Sequence, residues 1–146
     1  MKVLVDTSVW SLSLRRKVVS EHPVVEEFAE LVREVRVQLI GPVRQEILSG
    51  IRSQVQFDGL RGRLRAFPDL QLEAPDYECA AEFFNLSRSQ GVQGTNTDFL
   101  ICAVSHRYEM PILSTDGDFL RFREYLPIEL HAPRREAGIE RDADAG

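Results

Sequence analysis

Four acids stand where the chain could concentrate chemistry: Asp6, Glu46, Asp98 and Asp116. Each alone has an ordinary explanation. A strand-end aspartate is commonly a turn residue, a helix-start aspartate a cap, and a helix glutamate beside Arg44 a solvated surface acid. The joint pattern is less ordinary, because each acid sits at or near an element end. Four carboxylates drawn together repel, and both burial and like charge raise their pKa values and cost stability. Such a cluster needs a counter-charge. The set holds no His or Cys, so its donors are hard oxygens, which fit magnesium, with manganese as an alternative, rather than zinc. Magnesium held by carboxylates keeps waters and binds phosphate oxygens, and it can activate a water near neutral pH. The matching reaction is hydrolysis of a phosphodiester by metal-activated water, leaving 5′-phosphate and 3′-hydroxyl ends.

The elements that would position these acids can be read from periodicity and punctuation. Residues 2–6 form a short Val-rich run that reads as a buried strand ending at Asp6. Thr7 or Ser8 is expected to cap a short helix reaching about Arg16. Pro23 opens a helix with apolar residues at helical spacing through Val35. A second strand over Val37–Ile40 turns at Gly41 and Pro42 into the helix carrying Glu46. A basic helix follows and stops at Pro68, then a short third strand is expected over Leu70–Leu72. Asp76 is expected to cap a helix ended by Gly91 near Gln90. Asp98 opens a helix apolar almost all round, which must be central. A fourth strand over Met110–Ser114 delivers Asp116, and a short helix from Asp118 to Tyr125 precedes a fifth strand at Ile128–Leu130. Strands separated by helices imply an α/β fold: one domain over residues 1–133, with a parallel sheet of four to five strands and helices on both faces. In such sheets the active site lies beyond the carboxyl ends of the strands. The stretch 134–146 has one large apolar residue and is expected to be a disordered tail.

Composition narrows the class. A chain of 146 residues, 43% hydrophobic and 28% charged, is an ordinary globular domain. No run approaches the roughly 18 apolar residues of a membrane span. An acid at position 6 is too early for a signal peptide, so a cytoplasmic location away from membranes is expected. Cys79 and Cys102 have no close partner and read as reduced, partly buried thiols, and His22, His106 and His131 share no motif. The net charge is −5, yet seven arginines against three acids give the segment 33–65 a charge of +4, leaving −9 elsewhere. That segment fits RNA backbone, an acidic partner or plain solvation equally well. A dehalogenase-type phosphatase needs a second Asp where Ser8 stands, and a late Lys; no lysine follows Lys17. A P-loop is absent. The remaining alternative to an enzyme is a catalytically silent scaffold that binds RNA or protein.

Four stretches carry a resemblance. Residues 2–10, with Asp6-Thr7-Ser8 after a strand, are similar to the opening of PIN-domain proteins. Glu46-Ile47-Leu48-Ser49-Gly50 resembles their second motif, Asp98 opening an Ile- and Ala-rich helix the third, and Ser114-Thr115-Asp116-Gly117-Asp118-Phe119 the fourth. Together they span residues 2–119 and resemble the small VapC-type toxins of type II toxin–antitoxin systems. The resemblance implies a metal-dependent endoribonuclease with Asp6, Asp98 and Asp116 as direct metal ligands and Glu46 acting directly or through a water. It also implies an RNA substrate, a homodimer and a small antitoxin protein that inserts into the site. Asp118 is either a peripheral ligand or, preferably, a cap for the helix after it; Ser8 and Ser114 could orient ligands. Ser114 departs from the usual Thr but keeps the hydroxyl. Phe99 and Cys102 stand where small residues are common.

Overall fold

The three residues of β1 (Val3–Val5) are all at 0% exposure. Successive side chains of a strand point to opposite faces, so both faces of the sheet are covered at this strand. In this computed structural model, which describes residues 1–14 and 22–135, β1 is the central strand of a parallel sheet. On one side it pairs with β2 (Val37–Gln38), Val3 opposite Val37; on the other with β3 (Ile112–Leu113), Leu4 opposite Ile112. Single bridges extend the order at each edge, Leu39 to Asp69 and Ile112 to Leu130. These bridges stand at or beside the expected third and fifth strands. Prolines bracket them: Pro68 cannot donate to a ladder, and Pro127 and Pro133 flank the other. The result is an α/β domain with three regular strands among the described residues.

Seven helices among the described residues surround the sheet: α1 (Thr7–Ser13), α2 (Pro23–Arg33), α3 (Gly41–Leu48), α4 (Gln54–Leu64), α5 (Ala74–Ser89), α6 (Asn96–Tyr108) and α7 (Asp118–Phe122). As its composition requires, α6 is buried without interruption from Phe99 to Ser105. The first helix packs through Trp10, edge-on to Phe28 at 4.7 Å and to Phe67 at 5.1 Å. A second aromatic chain links Phe84, Phe99, Phe122 and Phe119. Gly94 admits the loop before α6 against it, because a Cβ there would lie 2.7 Å from the Phe122 ring. Among the described residues no helix is long and apolar enough to cross a membrane.

Several end assignments differ from expectation. Asp6 rather than Thr7 or Ser8 stands at the cap position of the first helix and makes no side-chain cap, and the Thr7 and Ser8 hydroxyls are engaged elsewhere; residues 15–21, and with them the expected end at Arg16, lie outside the described residues. Glu73, not Asp76, caps α5. Asp76 sits at the third helical position, where its carboxylate accepts the Glu73 backbone N–H at 2.8 Å. Arg134 and Arg135, placed by the sequence at the start of a tail, pair with α2. Arg134 donates to buried Glu27 at 3.0 Å and to Glu34, and His131 lies 2.6 Å from Glu27. Burial alone would raise the Glu27 pKa, but the bonds from Arg134 and His131 outweigh it and hold it below the usual value. The rest of the expected tail, 136–146, lies outside the described residues.

Candidate active site

Parallel pairing puts the carboxyl ends of β1 and β3 at one edge of the sheet, and Asp6 follows β1 directly. Asp6 is only 6% exposed. A carboxylate that deep must have its desolvation offset by hydrogen bonds. Ser8 and Ser114 each donate a hydroxyl to Asp6 Oδ2, at 2.7 and 2.8 Å. The two hydroxyls lie 3.3 Å apart, and each accepts a backbone N–H from the loop after β3, Ser8 from Thr115 and Ser114 from Asp116. The serines thereby tie the Asp6 strand end to the Asp116 loop. Asp116 is exposed at the rim, with Oδ1 accepting the Asp118 N–H at 2.9 Å.

The other two acids arrive on helices. Asp98 and Thr95 form a reciprocal cap: Asp98 Oδ2 accepts the Thr95 N–H at 2.9 Å and Thr95 Oγ1 accepts the Asp98 N–H at 3.1 Å. Burial raises the Asp98 pKa, and the negative charges of Asp6 and Asp116 raise it further, against the Thr95 bonds. One turn further along α6, burial pushes the Cys102 thiol far up, with Asp98 and Asp6 adding to it. Cys102 is therefore a protonated core residue and not a nucleophile. Glu46, exposed on α3, is joined to the group by the residue after Asp6, since Thr7 Oγ1 donates to Glu46 Oε1 at 2.8 Å.

A common pattern results. Each of the four acids has one oxygen held by a donor of the chain and the other without a hydrogen bond among the described residues. None of the four pairs with an arginine, lysine or histidine there, whereas Glu27 and Asp76, the two other deeply buried acids, both do. No three acids, cysteines or histidines among the described residues stand close enough to form one coordination shell. The expected trio of direct ligands is thus not drawn into a cage. The donor chemistry still fits magnesium, which keeps several waters and commonly takes only one or two carboxylates directly.

Asp118 departs from the capping role preferred for it. Gly117 occupies the cap position of α7 and makes no side-chain cap, and the Asp118 carboxylate pairs with Arg121 one turn on. Two participants escaped the sequence reading. Thr95 carried a legible signal, a Thr three residues before an acid at a helix start. Thr7 carried none, since its partner Glu46 lies 39 residues away.

The profile of the PIN domain matches residues 3–125, which contain all four acids. The chain belongs to the PIN-domain family. Solved structures of the same fold include FitAcB from Neisseria gonorrhoeae, at 17% identity and TM-score 0.68 over 90% of this chain and 97% of that one. FitAB bound to an IR36 DNA fragment is similar at 20% identity and TM-score 0.70, over 90% and 94% of the two chains. PAE2754 from Pyrobaculum aerophilum is similar at 12% identity and TM-score 0.54, over 86% and 87%. No curated protein sequence matches. As a PIN domain, this protein presents its acid group at the carboxyl edge of the sheet, where α/β folds place their reactive sites.

Proposed function

We propose that this PIN domain is a magnesium-dependent endoribonuclease acting as the toxin of a toxin–antitoxin pair. The observation that supports the reading is the mutual repulsion of Asp98 with Asp6 and Asp116, with Glu46 tied beside Asp6 through Thr7 and none of the four in an ion pair among the described residues. Asp6, Asp98 and Asp116 would hold the cation, and Glu46 would reach it directly or through a water. When bound, a divalent ion neutralises charge on the phosphodiester and makes an attacking water acidic enough to act near neutral pH. The chain's own part is positional: Ser8 and Ser114 fix Asp6, Thr95 fixes Asp98, and Thr7 fixes Glu46. The PIN family is one of nucleases, which favours cutting over a silent scaffold, and none of the four acids is missing. Two similar folds are FitAcB and a DNA-bound FitAB. The reading includes an antitoxin partner, which the motif resemblance to VapC-type toxins implies, a homodimer and a cytoplasmic setting. Sequencing the ends of RNA cut by the purified protein should find 5′-phosphates and 3′-hydroxyls. Products ending in 2′,3′-cyclic phosphate would mean that the RNA 2′-hydroxyl attacks, and would reject the mechanism.

The arginine-rich segment now divides. Arg33 pairs with Glu30, Arg36 with Glu34, Arg61 with Asp58, and Arg44 with Asp69 and the Leu64 and Phe67 carbonyls. Arg52, Arg63 and Arg65 are exposed and have no ion pair among the described residues. If these three touch RNA backbone, replacing them with glutamine lowers affinity and reduces the slope of log K against log salt by about 0.7 for each phosphate no longer neutralised. An unchanged slope assigns them to a protein partner or to solvent.

A further inference from the structure

Between α5, the start of α3 and the first turn of α6 lies a cavity of about 500 Å³. Its wall on α5 is one helical face, Tyr77, Ala80, Ala81, Phe84 and Asn85, at the spacing of residues that share a side. Pro42, in the first turn of the helix that carries Glu46, closes one side. Asn96 and Thr97, immediately before Asp98, close another. The cavity therefore touches the two helices that deliver Glu46 and Asp98.

We propose that this cavity receives an unstacked base of single-stranded RNA beside the scissile phosphate, and so sets the sequence preference of cleavage. The inference rests on the nuclease reading above. Its lining has the chemistry of base recognition: aromatic rings for a π-face and neutral amides for a base edge. Tyr77 is 52% exposed and free to lie against a base. The Asn85 and Asn96 amides are exposed, make no hydrogen bond among the described residues, and can each offer a donor and an acceptor. The cavity contains no charged lining residue, which suits a neutral base. A cation stands just outside it: the Arg88 guanidinium lies 5.5 Å over the Phe84 ring, without an ion pair among the described residues. Arg88 is thus placed for a flanking phosphate, while Phe84 contributes to the wall. A protein segment would need little from these amides, whereas a base edge needs them.

The test separates binding from cutting. In chelator, AMP, CMP, GMP and UMP are titrated one by one while backbone and side-chain amide NMR signals are followed. The proposal expects one nucleotide to bind best and to shift the signals of Asn85, Asn96 and Tyr77. Tyr77→Ala should weaken it about tenfold, the loss of one stacked ring. Asn96→Ala and Asn85→Ala should flatten the preference among the four. In sequenced cleavage ends, wild type should show one base enriched at a fixed position near the cut, and the ends produced by both asparagine variants should lose the enrichment. Nucleotide binding in chelator with no RNA cleavage would sink the nuclease reading and leave the pocket standing. No nucleotide-induced shift at these residues overturns the proposal, and so does an unchanged cleavage preference in both asparagine variants. Concentration-dependent burial of Tyr77 in a dimer overturns it as well, assigning the face to a second copy.

Discussion

Asp98→Asn is expected to abolish RNA cleavage, by about 10³-fold or more, while raising the melting temperature of the protein in chelator. Under the proposed function, the loss follows from removing one of the carboxylates that would bring a divalent ion to the phosphodiester. Such an ion contributes several kcal/mol of transition-state stabilisation, and each 1.36 kcal/mol is tenfold in rate. The stabilisation follows from the raised pKa of Asp98, caused by burial and by the charges of Asp6 and Asp116. A carboxyl whose folded pKa lies above its unfolded value supports the fold only while protonated, and it costs stability once pH rises through the folded value. Asparagine removes that cost and can still accept the Thr95 N–H. The gain should therefore be present at neutral pH and vanish below the ordinary aspartate range. Melting curves across pH and a cleavage assay check both halves together. A variant that is less stable at neutral pH would show that the acid is structural, not held under strain for function.

The largest structural effect is expected at the opposite end of α6. Asp76 is 1% exposed and accepts Arg107 Nε at 2.8 Å, the Tyr108 hydroxyl at 2.9 Å and the Glu73 N–H at 2.8 Å. Burial would raise its pKa, but these three donors hold it below the usual value. Its stabilisation is accordingly present above the unfolded aspartate pKa and is lost as pH falls through the lower folded one. Asp76→Ala leaves a backbone donor, a phenol and a guanidinium without their acceptor. It should cost about 3 kcal/mol at neutral pH. For a chain of this size that lowers the melting temperature by roughly 10 °C. The cost should shrink in acid, where wild type loses the same interaction. RNA cleavage at low temperature should be retained, because Asp76 lies outside the acid group. A melting shift of a degree or two would mean that exposed Arg107 finds water as good a partner.

The contrast between these aspartates explains how much was legible in the sequence. Asp6 and Asp116 could be placed at one sheet edge because apolar strand runs end just before them, and parallel pairing follows from alternating strands and helices. Asp98 could be placed because an all-apolar helix must be central and its polar start must face an opening. Counting acids could not tell Asp76 from Asp98, since both sit at the third position of a helix behind a cap. The difference lies in what tertiary packing brings to the carboxylate: Arg107 on the second oxygen and Tyr108 on the capping one for Asp76, and the negative charges of Asp6 and Asp116 for Asp98. The same limit hid the Thr7–Glu46 bond, the return of Arg134 to Glu27, and the pairing of four of the seven arginines. The edge strands came out shorter than expected because local β-propensity does not register how few residues remain between a proline and the next helix.

The central claim is that unpaired carboxylates at positions 6, 46, 98 and 116 are held together to take up a divalent cation. Melting of wild type and Asp98→Asn, each with chelator and with excess magnesium, tests it without any substrate. A ligand that binds only the folded state, at 100 times its Kd, adds about 2.7 kcal/mol of stability. Wild type should therefore melt several degrees higher in magnesium and Asp98→Asn should hardly move, reversing their order in chelator. Equal shifts in the two proteins, or none in either, would contradict the account.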